Sequence, residues 1–522
     1  MQASTGFDVV IVGGGHNGLT AACYLAQAGR RVALVERTPK LGGMTHSDYL
    51  IPGAPQHMVN TCAGEAIFLR ATRVVQDLEL ERHGWRTADV DPSYVYLHPD
   101  GNSIAIWRDP AKTAADIHRF SPNDASAYLQ FVELLDALLA IALPMMKTSA
   151  ARPKLSALLD AIRALIRHRR VRGELLPMVL GTADQVALER FEHPATIAMM
   201  LNIASGACSI DEDGGGLGYV LLALLHRVGV GRPVGGMQAL PNALGARLHE
   251  LGGTVLTGTA VDEILVEGGR TRGVRLADGR VLEARAVITS CDPLTAMRLA
   301  TPGSFETKLM RRVEHAPYNR ANASPLMVHL ALAGQVRPKS LFKRWDGLDL
   351  RPSVALIGLA DDVRLGFKAA QRGDYTQTPS IWVAIPSAWD ATQAPAGQDV
   401  AYLYPPTMPV EPRDGTREAV EAAADATVRQ AAQYFDGLDT TFARWVETPR
   451  ERMQRLNVTN GCITHIDFAL LRSGSMRPAV GLGGEVLPVA GFFFGGAGAH
   501  PGGGVSGLPG KHAADRVQRF LK

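Results

Sequence analysis

The pattern of apolar and polar positions divides the chain into segments before any motif is considered. The apolar run Val9–Val12 predicts a buried strand, broken at once by Gly13-Gly14-Gly15. A helical pattern over Leu19–Ala28 then stops at Gly29, and Arg31–Glu36 predicts a second buried strand. Residues 84–110 alternate around Pro99-Asp100-Gly101 and predict hairpins. From Ser121 the period becomes helical, with Ser121 as N-cap and Pro122 in the first turn. Phe131–Leu143 is almost wholly apolar, and Pro144 predicts its end. Leu155–Arg172 carries an apolar face of Leu155, Leu158, Leu159, Ile162, Leu165 and Ile166 beside Arg163, Arg167, Arg169, Arg170 and Arg172. That pattern fits a helix lying on an anionic bilayer, and it equally fits a helix with a solvated basic side. Helical patterning extends to about Leu225.

Farther on, a helix is predicted over Leu240–Leu251, closed by Gly252-Gly253. Strands follow at Thr254–Leu256, Ala260–Val266, Gly273–Leu276, Val281–Ala284 and Ala286–Ser290, with Asp278-Gly279 as a hairpin turn. Further strands are predicted at 325–333, 353–359, 380–386 and 399–404, and an amphipathic helix over Arg417–Phe435. The chain closes on an apolar strand, Val489–Phe494, then a glycine-rich turn and a helix over Leu508–Phe520.

Gly13, Gly15 and Gly18 stand at G-x-G-x-x-G spacing between the first strand and helix. Gly13 suits the tight turn, Gly15 a close approach of backbone to pyrophosphate, and Gly18 tight packing of helix on strand. His16 and Asn17 lie inside this loop, and the phosphates would rest on N–H groups at the helix N-terminus. Glu36 ends the second strand where an acid bonds a ribose hydroxyl, which disfavours a 2′-phosphate. The next residues include Arg37, Gly42, Gly43, Met44 and Thr45, and this second glycine pair resembles the extended signature of FAD enzymes of the glutathione-reductase class. Tightly bound FAD is therefore expected. A second cradle is expected from Gly495-Gly496 and Pro501-Gly502-Gly503-Gly504-Val505, where the last helix's N-terminus would stabilise charge on a reduced flavin.

Composition narrows the class. The chain has 522 residues, 46% hydrophobic and 20% charged, enough for two or three domains. A net charge of +3 gives no reason to expect a nucleic-acid partner. Five scattered cysteines without C-x-x-C argue against a disulfide framework, a metal site and a dithiol motif, and fit a reducing compartment. Only a short polar leader, Met1–Gly6, precedes the first strand. The longest apolar candidate for a membrane span, Thr196–Ile210, is too short. A cytoplasmic protein is expected, with peripheral membrane contact left open.

Val9–Gly18, Glu36–Gly43, Pro233–Met237 with Leu240, Val287–Pro293 and Gly495–Gly507 together resemble the phytoene desaturase family of carotenoid oxidoreductases. Within it, Ala499–Gly507 looks most like the ketolase branch and the branch of pyridine nucleotide-disulfide oxidoreductase domain-containing protein 2. The resemblance implies an α/β fold. Its parts would be a discontinuous glutathione-reductase-like, Rossmann-type FAD domain, an α+β substrate domain with a mainly antiparallel sheet, and a helical cap over 121–226. The FAD domain would comprise 1–75, 229–300 and 456–522, and the substrate domain 76–228 and 301–455. Val261 would place its backbone against the adenine. The implied chemistry is hydride removal from an activated C–H of a hydrophobic isoprenoid or acyl substrate, forming C=C. Oxygen or a quinone would reoxidise the flavin. His57, His465 and His500 are the candidate bases, and each can equally be a packing or turn-capping residue; the same holds for Asn60 and Cys62. A redox-neutral isomerase or saturase, and a flavoprotein acting through a partner, remain open.

Overall fold

The computed structural model describes residues 6–522; Met1–Thr5, most of the expected leader, lie outside the described residues. A seven-stranded sheet draws its strands from both ends of the chain. Phe7–Val12 runs at its centre, parallel to Val32–Val35 on one side and Val281–Thr289 on the other. Thr254–Leu256 and Phe492–Phe494 extend these two sides, also in parallel. Val9–Val12 are buried, as a parallel strand covered on both faces requires. The segments expected as two strands at 281–284 and 286–290 form one. Its first residues, Val281–Glu283, pair antiparallel with Gly273–Arg275, and from Ala284 onward the same strand runs parallel to the first.

A second seven-stranded sheet follows the order Thr441–Glu447, Met327–Leu332, Asp399–Tyr404, Ile381–Ala384, Val354–Ile357, Tyr94–Leu97, Ser103–Ile106. Every pairing is antiparallel except Val354–Ile357 with Tyr94–Leu97. Period-two alternation divides its residues: Val328, Leu330, Ala401 and Leu403 enter one core, with Val420 and Ala424 of the helix Arg417–Ala431. That helix stops before Phe435, because Phe435–Asp436 leaves to pair with Arg337–Pro338.

Helices cover the other face of this sheet. Pro122–Met146 starts on Ser121, whose hydroxyl accepts the Asp124 N–H at 3.1 Å. It runs through Pro144, which costs one backbone donor in the last turn without ending the helix. By length and composition this helix could cross a membrane, but it packs against Pro110–His118, Leu155–Arg167, Arg172–Leu180 and Val220–Val228.

Leu155–Arg167 is turned opposite to a usual surface helix. Ala157 and Ala164 face inward, whereas Leu155 is 71% exposed, Ile162 53% and Ile166 64%. Its apolar face is the outer one.

Candidate functional site

The first glycine loop is shaped by contacts no side chain permits. Gly13 has φ +102° and donates its N–H to the Val35 carbonyl at 2.8 Å. A Cβ at Gly18 would stand 2.1 Å from the Gly13 carbonyl oxygen, so helix and turn can meet only through glycine. At Gly15 the nearest protein atom to an added Cβ is Ser290 Oγ at 3.8 Å. Gly15 therefore faces open cavity. Glu36 is held from below: Gly14 N–H donates to its Oε2 at 2.7 Å, and the Thr38 amide and hydroxyl donate to Oε1 at 2.9 and 2.8 Å. Neither Gly14 nor Thr38 was expected in this role, although an acid two residues before a threonine is the signal for such a turn.

The chain's last helix closes this end. A Cβ at Gly510 would lie 1.9 Å from the Asn17 carbonyl oxygen, and one at Gly507 2.9 Å from Thr20 Oγ1. Head and tail are thus in backbone contact. The Leu508 N–H is taken by Ser506 Oγ at 3.2 Å, and the residues that face the cavity are Gly503, Gly504 and Val505, before the helix begins. This corrects the expectation that the helix N-terminus itself is presented.

A cavity of about 1420 Å³ runs between the two sheets, larger than the usual pocket for one small ligand. Gly13, Gly15, His16, Asn17, Glu36, Arg37, Gly43, Met44, Val261, Pro501, Gly503, Gly504 and Val505 all line it. Gly18, Gly42, Thr45, Gly495, Gly496 and Gly502 do not; they stand behind the wall. Thr45 donates its hydroxyl to the Gly42 carbonyl at 2.7 Å, and a Cβ at Gly496 would meet the Ser290 carbonyl oxygen at 2.6 Å. Arg37 donates to the carbonyl of Gln454 at 2.9 Å and to that of Arg455, closing one end.

The histidine candidates separate. His465 and His500 line the cavity. His57 does not: it is buried, edge-on to the Phe442 ring at 5.4 Å, against the outer strand of the second sheet. It is a packing residue. Asn60 and Cys62 reach the wall, but Asn60 is occupied, accepting from Ser47 Oγ at 2.8 Å and donating to Gln393 at 2.9 Å. Burial raises the Cys62 thiol, which is therefore unreactive at neutral pH.

Burial lowers His16, His465 and His500 from 6.5 to about 4 each. Neighbouring charge acts on each as well: His465 lowers His16 further, His512 lowers His500 further, and His465 itself feels Asp292, which raises it, against Arg477, which lowers it. All three are neutral imidazoles at pH 7, and His16 Nε2, His465 Nδ1 and His500 Nδ1 are buried without a protein partner. Asn17 Oδ1 is likewise unpaired. Such orphaned atoms fit a bound polar ligand. The polar end around Glu36, the glycine cradles and the breadth of the cavity suit a dinucleotide with a flavin. Arg477, fully buried, lies behind Gly502 and donates to the carbonyls of Thr464, Ile466 and Ala497 at 3.0, 2.8 and 2.9 Å. No carboxylate bonds it among the described residues, and burial lowers it to about 10. Its retained charge favours electron density at that end of the cavity. Among the described residues no group of three His, Cys, Asp or Glu could hold a metal.

The sequence profile of the family described as flavin containing amine oxidoreductase matches residues 18–517. Mouse pyridine nucleotide-disulfide oxidoreductase domain-containing protein 2 is 28% identical, over 99% of this chain and 94% of its own length. A zeta-carotene-forming phytoene desaturase of Myxococcus xanthus is 26% identical, over 98% of this chain and 92% of its own. An oxidoreductase of Methanosarcina mazei shares the fold, with a TM-score of 0.63 at 15% identity over 98% of this chain and 99% of that one.

Removing the Glu36 carboxylate by Glu36→Ala should weaken FAD binding on the order of tenfold, read by fluorescence titration; unchanged affinity would remove its role at the ribose. Protonation of the buried imidazoles gives a second expectation. Between pH 6.5 and about 4 the unfolded chain binds protons that folded His16, His465 and His500 refuse. Stability therefore falls as pH drops through that window. The thermal midpoint should decline there, and less steeply in His465→Asn.

Proposed function

Because the chain belongs to the flavin-containing amine oxidoreductase family and is an FAD-dependent oxidoreductase, we propose that it dehydrogenates a hydrophobic substrate at an activated C–H, forming C=C. The observation that supports this reading is the composition of the cavity away from Glu36. Leu138, Ala142 and Met145 of the cap, Leu217 and Leu221, and the aromatic rings of Phe68, Trp382, Tyr402 and Tyr404 form its wall. Tyr402 and Tyr404 alternate off one strand onto the same face. Such a wall excludes water and gains binding energy from burying apolar chain.

FAD supplies a hydride acceptor when bound. The chain's residues do the rest. Gly15, Glu36 and Gly503–Val505, which line the polar end of the cavity, would hold the cofactor. The aromatic wall fixes the substrate's orientation. His500 is engaged with the Met145 carbonyl at 3.3 Å through Nε2, which leaves its lone pair on Nδ1. The single proton leaving the neighbouring carbon goes to one of two unpartnered nitrogens on the wall, His500 Nδ1 or His465 Nδ1. An electron acceptor, oxygen or a quinone by chemical class, would be needed to balance each turnover.

Peripheral contact with an anionic bilayer belongs to the same proposal. The outward apolar face of Leu155–Arg167, flanked by exposed Lys154, Arg163, Arg167, Arg169 and Arg170, supports it. This helix packs on Pro122–Met146, whose end contributes Met145 and Met146 to the cavity wall. A lipophilic substrate would then pass from bilayer to cavity without crossing water.

Anaerobic incubation of the holoenzyme with isoprenoid and acyl lipid fractions should bleach the flavin and yield a product two hydrogens lighter. Turnover that requires pre-reduced flavin, with no change in product mass, would overturn dehydrogenation. The protein should float with vesicles containing phosphatidylglycerol and less so at high salt, and Ile162→Glu combined with Ile166→Glu should abolish flotation. Failure of the native protein to float would refute the membrane contact.

A further inference from the structure

On the wall of the apolar chamber stands an ion pair that the chemistry above does not use. Glu65 lies on the cavity wall with 21% of its side chain open, and Arg232, 2% exposed, donates from Nη1 to its carboxylate at 2.7 Å. The Tyr94 hydroxyl lies 2.7 and 2.6 Å from the two carboxylate oxygens. Arg232 is held by its two terminal nitrogens and by two rings: Nη2 donates to the Ser93 carbonyl at 2.8 Å, and its guanidinium sits 5.3 Å from the Tyr94 ring and 5.2 Å from that of Trp389, while Nε is buried without a partner. Burial and the Glu65 charge keep Tyr94 protonated.

An ion pair placed among aromatic rings is a weak device for stability, since desolvating both charges offsets most of their attraction. Two neighbouring polar groups on the wall are occupied, since Asn60 bonds Gln393 and Gln393 donates to Asp390 at 3.1 Å, whereas the Trp389 Nε1 donor is buried without a protein partner. The Glu65 carboxylate differs. It is immobilised by two donors from behind and still has surface facing the space where substrate must lie. Ionised, it accepts hydrogen bonds and donates none. Arg232 offsets its charge, so a cation gains little there, and an anion would meet carboxylate first.

We propose that the Glu65–Arg232–Tyr94 cluster is a substrate anchor, and that the chamber takes an apolar chain bearing one neutral hydrogen-bond donor, a hydroxyl above all, which bonds to Glu65. The inference deepens the proposed function and rests on the chamber being a substrate site. It selects an alcohol-bearing lipid over a pure hydrocarbon and over a free fatty acid. Glu65 is here a specificity-determining residue: a ligand without the donor covers the exposed part of the carboxylate and removes its water while offering no hydrogen bond in return, so only the bonds from Arg232 and Tyr94 remain.

The test is equilibrium binding to the FAD-loaded protein of three probes of equal chain length, hexadecanol, hexadecane and hexadecanoate, each delivered from phosphatidylcholine vesicles. Binding is read from the flavin absorbance shift and from the fluorescence of the wall residues Trp382 and Trp389. Hexadecanol should bind tighter than either of the others by on the order of tenfold. Glu65→Gln, a neutral and weaker acceptor, should reduce that preference. The double variant Glu65→Met with Arg232→Met, which removes both charges together and so leaves none unpaired, should abolish it while hexadecane binding persists. Hexadecane binding as tightly as hexadecanol, hexadecanoate binding tighter than both, or a preference that survives the double variant would each overturn the anchor and leave the apolar chamber standing. Binding of none of the three would overturn the chamber as a lipid site, and the anchor with it.

Discussion

The structure depends on backbone passing backbone at distances that leave no room for a side chain. Gly18 meets the Gly13 carbonyl, Gly510 meets the Asn17 carbonyl, and a Cβ at either place would fall near 2 Å from an oxygen, at 2.1 and 1.9 Å. These approaches seat the first helix on its turn and the last helix on the first. Replacing either glycine would force two rigid main-chain segments apart, with no flexible side chain to yield. Around that constraint the cofactor end is polar, and Gly14 and Thr38 hold Glu36 in place by hydrogen bonds from the chain itself.

Charge is distributed by burial. Three imidazoles on the wall are neutral at physiological pH because the cavity denies them water. Arg477, which cannot shed its charge, is instead surrounded by backbone carbonyls. A cavity that neutralises its histidines and retains a guanidinium behind one loop favours negative charge at that loop and disfavours positive charge elsewhere. The Glu65–Arg232 pair, neutral overall, disturbs that balance little.

Much of the cofactor end was legible in the sequence because its signals are local. An apolar run, three glycines at fixed spacing and an acid at the next strand's end lie within 30 residues of one another, and the turn chemistry forces the geometry. The second sheet was half legible. Its alternating strands were recognisable, but nothing local says that Tyr94–Leu97 lies beside Val354–Ile357, more than 250 residues away in the chain. The amphipathic pattern of Leu155–Arg167 was plain, whereas its orientation depends on what Ala157 and Ala164 pack against. His57 carries the same chemistry in the sequence as His465, and only tertiary placement separates a ring packed on Phe442 from one on the cavity wall. Glu65 and Arg232, 167 positions apart, form a cluster no spacing rule could join.

The strand Phe492–Phe494 and the helix Leu508–Phe520 complete a sheet and a cradle begun at Phe7. During synthesis the nascent polypeptide must therefore emerge beyond Phe520 before both sides of the cradle can meet. Until then the central strands lack their outer neighbour and expose apolar edge. A chain that stopped short of Phe492 would lack one strand of that sheet and the Gly503–Val505 side of the cavity wall.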